Sequence, residues 1–95
     1  MSDQASDPTV RRLREEISGL DRTILDAVNT RLELVAELKR YKASRGLAFV
    51  DPERERILLE ELAAANQGPL STEGLHELVT QILDLTKREV TRGGN

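Results

Sequence analysis

The sequence has no cysteine and no tryptophan, and in 95 residues it carries one tyrosine, one phenylalanine, one histidine and three prolines. Without cysteine there is no disulfide and no thiolate metal site. The lone His76 cannot assemble a metal cluster by itself. An interior with 2% aromatic residues must be built from Leu, Ile, Val and Ala, which suits packed helices, and the β-branched and aromatic runs that make strands are missing. No apolar run approaches the roughly 18 residues of a membrane span, and no signal-peptide pattern opens the chain. The expectation is a soluble cytoplasmic protein without a membrane partner. Positive charge is not in excess either: the net charge is −3 and the isoelectric point about 5.2, which argues against nucleic acid as a partner, since neutralising phosphates takes a net basic face. The one basic run, Arg11, Arg12 and Arg14, reads as a solvated helix start. There is no Ser-His-Asp set, Gly-rich phosphate loop, metal-ligand spacing or paired-carboxylate signature. No metal and no cofactor are therefore expected, and an enzyme built on this chain works by positioning and electrostatics.

What the sequence does have is helical periodicity. Val10, Leu13, Ile17, Leu20, Ile24, Val28, Val35 and Leu38 recur at steps that keep them on one face of a helix. Asp7-Pro8 is a start signal, with a carboxylate to cap free N–H groups and a proline suited to the first turn. Gly19 interrupts the run only mildly, and Gly46 is placed to end it. The spacing predicts a first helix from Pro8 to about Arg45, roughly 36 residues and about 54 Å long. Asp51-Pro52 repeats the start signal for a second helix reaching about Asn66, with Ile57, Leu58, Leu62 and Ala65 on its apolar side. Gln67-Gly68-Pro69 breaks the pattern. Ser71 or Thr72 then caps a third helix carrying Leu75, Leu78, Val79, Ile82, Leu83 and Leu85, which frays near Thr91. Residues 1–7 read as a disordered tail, 8–92 as the helical domain and 93–95 as a second tail.

The predicted fold class is all-α, with one long and two shorter helices per chain. A helix of about 54 Å far exceeds a compact domain of this size, whose radius of gyration is about 13 Å. A lone three-helix bundle is possible, but short connectors and a stripe running the length of the helix favour a second copy. The expected assembly is a homodimer, with two long first helices antiparallel and the shorter helices packed around them.

Extended along the first helix, the same stripe runs through Arg31 and Lys42. These are eleven residues apart, about 16 Å along the axis at standard rise, and point the same way. A charge on a buried face costs several kcal/mol, roughly, unless an anion meets it. One reading is that Asp21, Glu33 or Glu37 pairs with them, as exposed charges commonly do for less than about 1 kcal/mol. The other is that Arg31, Lys42 and Arg14, with Asp51, Arg54 and Glu55 opening the second helix, converge on a polar pocket. Arg grips carboxylates in a rigid fork, Lys supplies a point charge, and the ligand implied is a small dicarboxylate with a hydroxyl for Glu55.

Here the residues resemble the all-helical chorismate mutase family. Leu13-Arg14-Glu15-Glu16-Ile17 with Leu20-Asp21 looks like its opening. Arg31 and Tyr41-Lys42 fall where the family keeps a second arginine and a lysine, and Asp51-Pro52-Glu53-Arg54-Glu55-Arg56 looks like its Asp-x-x-Arg-Glu signature. Four separated motifs keep their order across residues 10 to 90. The resemblance implies an intertwined, domain-swapped dimer of three-helix chains with two active sites that rearranges chorismate to prephenate in Phe and Tyr biosynthesis. By resemblance, Arg14 of a partner copy and Arg31 grip the two carboxylates. Lys42 meets a carboxylate and the ether oxygen, Glu55 takes the hydroxyl aided by the backbone around Asp51, and Arg54 supports the carboxylate end.

One departure stands out on the third helix, where the family has Ser or Thr and then Gln or Glu four residues later. These positions align with Thr86 and Val90, and Val90 has no hydrogen bond to give. The alternative register offers Leu85 and Glu89. With Val90 in the site, the ether oxygen falls to Lys42 alone, or a partner protein such as a shikimate-pathway enzyme completes the site. Two relatives on the same fold stay open, a 4-amino-4-deoxychorismate mutase and an isochorismate-pyruvate lyase, as does a non-catalytic helical dimerisation module. His76, Thr80 and Gln81 are read as surface, and Tyr41 as packing at the helix end.

Overall fold

The computed structural model of the chain describes residues 4–93. A 3-10 turn at Gln4–Ser6 is followed by α1 (Pro8–Ser44), α2 (Pro52–Ala65) and α3 (Thr72–Gly93). Among the described residues there is no strand, so the protein is all-helical with three α-helices in the expected order. α1 and α2 stop one residue short of the expected Arg45 and Asn66, and α3 continues beyond Thr91 to Gly93. Of the two expected tails, Met1 to Asp3 and Gly94-Asn95 lie outside the described residues. Two compact units divide within α1, between Glu33 and Leu34.

In the first unit, Asp7 opens α1 as its sequence suggests. Its side-chain Oδ1 accepts the backbone N–H of Thr9 at 2.9 Å and of Val10 at 3.2 Å, satisfying two donors that the first helical turn leaves unpaired. Further along, the helix is supported locally. Arg12 pairs with Glu16 one turn on at 2.6 Å, with both side chains more than 60% exposed, a pair worth less than about 1 kcal/mol. The Thr23 hydroxyl donates to the Gly19 carbonyl at 3.2 Å. No residue of α1 is buried. The apolar stripe lies open, with Leu13, Ile17, Leu20 and Ile24 between 46% and 64% exposed. The expected row of side chains is there, and it is exposed.

In the second unit, Gly46 ends the helix at φ +69°, a left-handed conformation that glycine adopts without steric cost. Leu47 N–H then donates to the Lys42 carbonyl at 2.8 Å and Gly46 N–H to the Ala43 carbonyl at 3.3 Å, the paired bonds of a Schellman cap. Asp51 caps α2, its Oδ1 accepting the Arg54 N–H at 3.1 Å while Pro52 takes the first turn. Ser71 caps α3: its hydroxyl accepts the Gly74 N–H at 3.0 Å. Between them, Asn66 folds the connector back, donating its side-chain amide to the Leu70 carbonyl at 2.9 Å and accepting the Gly68 N–H at 2.9 Å.

α2 and α3 pack against each other. Among the described residues the buried ones are all on α3: Leu75, Val79, Thr86 and Val90, each 7% exposed or less. Steps of four and seven residues put them on one helix face. Ile57, Leu58 and Leu59 of α2, with Ile82, Leu83 and Leu85 of α3, are half-buried. Each apolar side chain fully buried here contributes about 1.5–3 kcal/mol.

Candidate functional site

The first unit holds two of the expected site residues. Arg14, on the exposed surface of α1, donates from Nη2 to the Gln4 side-chain carbonyl at 2.8 Å, so the 3-10 turn steadies its guanidinium. Arg31 is half-buried.

The others belong to the second unit. Lys42, in the last turn of α1, is half-buried, and its ammonium donates to the Phe49 carbonyl at 3.2 Å, a neutral acceptor. The expected alternative, pairing with a carboxylate of α1, is therefore not what Lys42 does among the described residues. An ammonium has three donors, and one used on Phe49 leaves two for a ligand. The Phe49 ring in turn lies near a second cation, with the Lys39 ammonium 5.6 Å from its centroid, a cation–π contact.

Asp51 acts through the backbone. With its side chain capping Arg54 N–H and its carbonyl accepting the Glu55 N–H at 3.1 Å, it fixes the first turn of α2 from which Arg54 and Glu55 project. Both glutamates of that turn, Glu53 and Glu55, lie at the positive end of the helix dipole. Arg54 is 3.6 Å from Glu61, with both side chains about 60% exposed, which leaves its guanidinium accessible. On the exposed side of the same turn Arg56 binds Glu53 and Glu60. The hydrogen bond from Arg56 holds the Glu53 carboxyl below its ordinary value of 4.5, and the same bond, with the charge of Glu60, raises Arg56.

Glu55 differs from its neighbours. Its Oε2 meets the ammonium of Lys87, on α3, at 3.0 Å, with the side chains 29% and 38% exposed. This pair is less exposed than those made by Arg12, Arg54, Arg56 and Arg92. Sequence reasoning missed Lys87 because no motif or period links it to Glu55; they meet only through the packing of α2 on α3. The neighbouring Thr86 is buried, and its hydroxyl donates to the Ile82 carbonyl at 2.6 Å.

Val90 is buried, 5% exposed, one turn beyond Thr86. In the other register Leu85 and Glu89 are half-buried, and Glu89 pairs with Arg92 at 3.1 Å. The inward set thus includes Thr86 and Val90, with Val79 buried and Ile82 and Leu83 half-buried, while Leu78 breaks the expected pattern at 48% exposed. His76, Thr80 and Gln81 are exposed. Tyr41 does not pack at the helix end: it is 58% exposed, with the Arg45 guanidinium 6.0 Å from its ring centroid.

Chemically, the second unit offers a half-buried ammonium with donors to spare, a carboxylate already neutralised on one oxygen, and an exposed guanidinium. No group of three or more potential ligands capable of holding a metal ion occurs among the described residues. No described helix is long and apolar enough to cross a membrane.

Comparison with known proteins gives a consistent result. The pattern of the family described as chorismate mutase type II matches residues 13–90. The chain is 36% identical over 61 residues to a 4-amino-4-deoxychorismate mutase of Streptomyces venezuelae, a match covering 62% of this chain and 59% of that protein. It is 32% identical over 79 residues to a bifunctional chorismate mutase/prephenate dehydratase of Stutzerimonas stutzeri, covering 78% of this chain and 22% of that protein. Against these curated relatives the matched stretch spans less than two thirds of their length. Among solved structures, form II of a chorismate mutase from Thermus thermophilus superposes with a TM-score of 0.84 at 32% identity, covering 88% of this chain and 96% of that one.

Proposed function

The chain belongs to the chorismate mutase type II family, and on that footing we propose that it catalyses the rearrangement of chorismate to prephenate in the cytoplasm. The observation that carries the reading is the family match itself, whose span of residues 13–90 includes the stretch from Arg14 to Val90.

The reaction is a one-step pericyclic shift. No proton and no covalent bond pass through the protein, so its work is to select the compact, chair-like conformer of a flexible dianion and to stabilise negative charge growing on the ether oxygen. In the proposed assignment Arg14 and Arg31 grip the two carboxylates, each through a planar fork of donors. Arg54 supports the carboxylate end. Lys42 turns its remaining donors toward a carboxylate and the ether oxygen, held in place by the Phe49 carbonyl. Glu55 accepts the substrate hydroxyl on Oε1, since Oε2 is engaged by Lys87, and Asp51 holds that turn. Thr86 and Val90 form the α3 wall. Val90 has no donor, so the ether oxygen depends on Lys42 or on a residue that a partner protein supplies.

The proposed assembly is a homodimer in which two α1 helices pair antiparallel and Arg14 serves the partner's site. It is supported by the absence of any buried residue on α1 and by the exposed row from Leu13 to Ile24, which a second copy of the same row would cover.

The test is turnover of chorismate, 4-amino-4-deoxychorismate and isochorismate by the purified protein. Prephenate is expected from the first, and Arg31→Ala and Lys42→Ala are each expected to lower kcat/KM by about 100- to 1,000-fold. The second reading, rearrangement of the 4-amino analogue, is favoured by the 36% identity to the Streptomyces enzyme. Turnover of that analogue or of isochorismate without prephenate formation would overturn the first reading, and full activity in both variants would overturn the site.

A further inference from the structure

We propose that Lys87 is a specificity-determining residue, selecting a neutral hydroxyl over a charged amine on the substrate carbon that faces Glu55; the inference rests on the chorismate reading above. An exposed carboxylate alone would not make this choice. It accepts a hydrogen bond from a hydroxyl and pairs at least as well with an ammonium, so Glu55 by itself would favour the 4-amino compound through charge. The structure does not leave Glu55 by itself. Its Oε2 is 3.0 Å from the Lys87 ammonium, and both side chains are mostly withdrawn from solvent, at 29% and 38% exposed.

Two consequences follow from that distance. The pair is electrically neutral as a unit, so its attraction for a further cation is largely cancelled. Any group hydrogen-bonded to Oε1 also lies within a few ångströms of Lys87, and a protonated amine there meets a like charge in partly screened surroundings. A hydroxyl pays neither cost: the bond to Lys87 is made by Oε2, and the hydroxyl donates its proton to a lone pair of Oε1. Lys87 reaches this point because the first turn of α2, fixed by the Asp51 cap, packs on α3. It sits one residue past Thr86, which is buried on the same helix.

The experiment measures the ratio of kcat/KM for chorismate to kcat/KM for 4-amino-4-deoxychorismate in the full chain, in Lys87→Met and in Lys87→Arg. Methionine keeps the length of the stem and removes the charge; arginine keeps the charge. The wild-type ratio is expected to favour chorismate. Lys87→Met is expected to reduce it by about tenfold, the scale of one partly exposed charge contact, and Lys87→Arg to restore most of it. If Lys87 only braces α2 against α3, Lys87→Met lowers both values together and the ratio stays put, which overturns the proposal. A wild-type preference for the amine overturns it as well. Failure of the functional reading is distinct: the wild type would then form no prephenate from chorismate, whereas failure of this inference alone leaves chorismate turnover intact, with the ratio either unmoved by Lys87→Met or already in favour of the amine. Should Lys87→Met not fold, as judged by helical circular dichroism, Lys87→Gln serves in its place with the same expected ratio.

Discussion

Truncating Leu20 to alanine tests the proposed assembly at the point where the chain has most to hide. Leu20 is 64% exposed, the largest value among the exposed large apolar side chains, and it lies in the middle of the row formed by Leu13, Ile17 and Ile24. Fully burying a leucine is worth about 1.5–3 kcal/mol, so covering its exposed two-thirds is worth about 1–2 kcal/mol. In a two-fold dimer each substitution occurs twice, which makes the loss about 2–4 kcal/mol per dimer. At 1.4 kcal/mol per decade the dissociation constant then rises by about 30-fold at the low end and approaches 1,000-fold at the high end. Sedimentation at a series of concentrations reads that shift directly, and activity per chain supplies a second readout. If Arg14 serves the neighbouring copy, specific activity falls on dilution, and the concentration at half-activity moves upward with Leu20→Ala by the same factor. A wild-type protein that stays monomeric at micromolar concentration and active throughout would refute the reasoning. So would a variant whose half-activity concentration does not move.

Two further outcomes concern the connector and the acidic turn. Gly46→Val is expected to cost about 1–2 kcal/mol in urea unfolding and Gly46→Asn distinctly less, because a side chain at Gly46 meets open space and the cost comes from the backbone at φ +69° alone; equal losses would show that some other cause dominates. Glu53 titrates below 4.5 because Arg56 hydrogen-bonds its ionised form, so the pair's contribution is present above 4.5 and disappears as the pH falls through the depressed value. Arg56→Gln is expected to move the Glu53 titration up toward 4.5 in carboxyl NMR, and an unmoved titration would rule out Arg56 as the cause.

How much was legible beforehand depends on whether the signal is local. Asp7, Gly46, Asp51 and Ser71 are caps, and a cap acts within a few residues of itself, so the three helices and nearly all their ends could be read directly. The stripe from Leu13 to Ile24 was legible as a stripe, yet periodicity says only which side chains share a face. It does not say what covers them, and no residue of α1 is buried. Leu78 shows the same limit, since it has the right spacing for the interior of α3 and is half exposed. The charged residues were legible as a set from their order along the chain. Their partners were not. Lys42 meets a backbone carbonyl, a group every residue carries, and Glu55 meets Lys87 across two helices whose relative rotation is a product of packing.

The Schellman cap places two duties on one residue. The carbonyl of Lys42 receives the bond that ends α1, while its ammonium reaches forward to the carbonyl of Phe49. Two residues past Phe49, Asp51 starts α2. The stretch from Gly46 to Val50 is thus a spacer of set length, and an insertion there would pull the ammonium away from the turn bearing Arg54 and Glu55. The other connector, from Asn66 to Leu70, holds none of the proposed reactive groups. A change of length there would leave the spacing between Lys42 and Asp51 as it is.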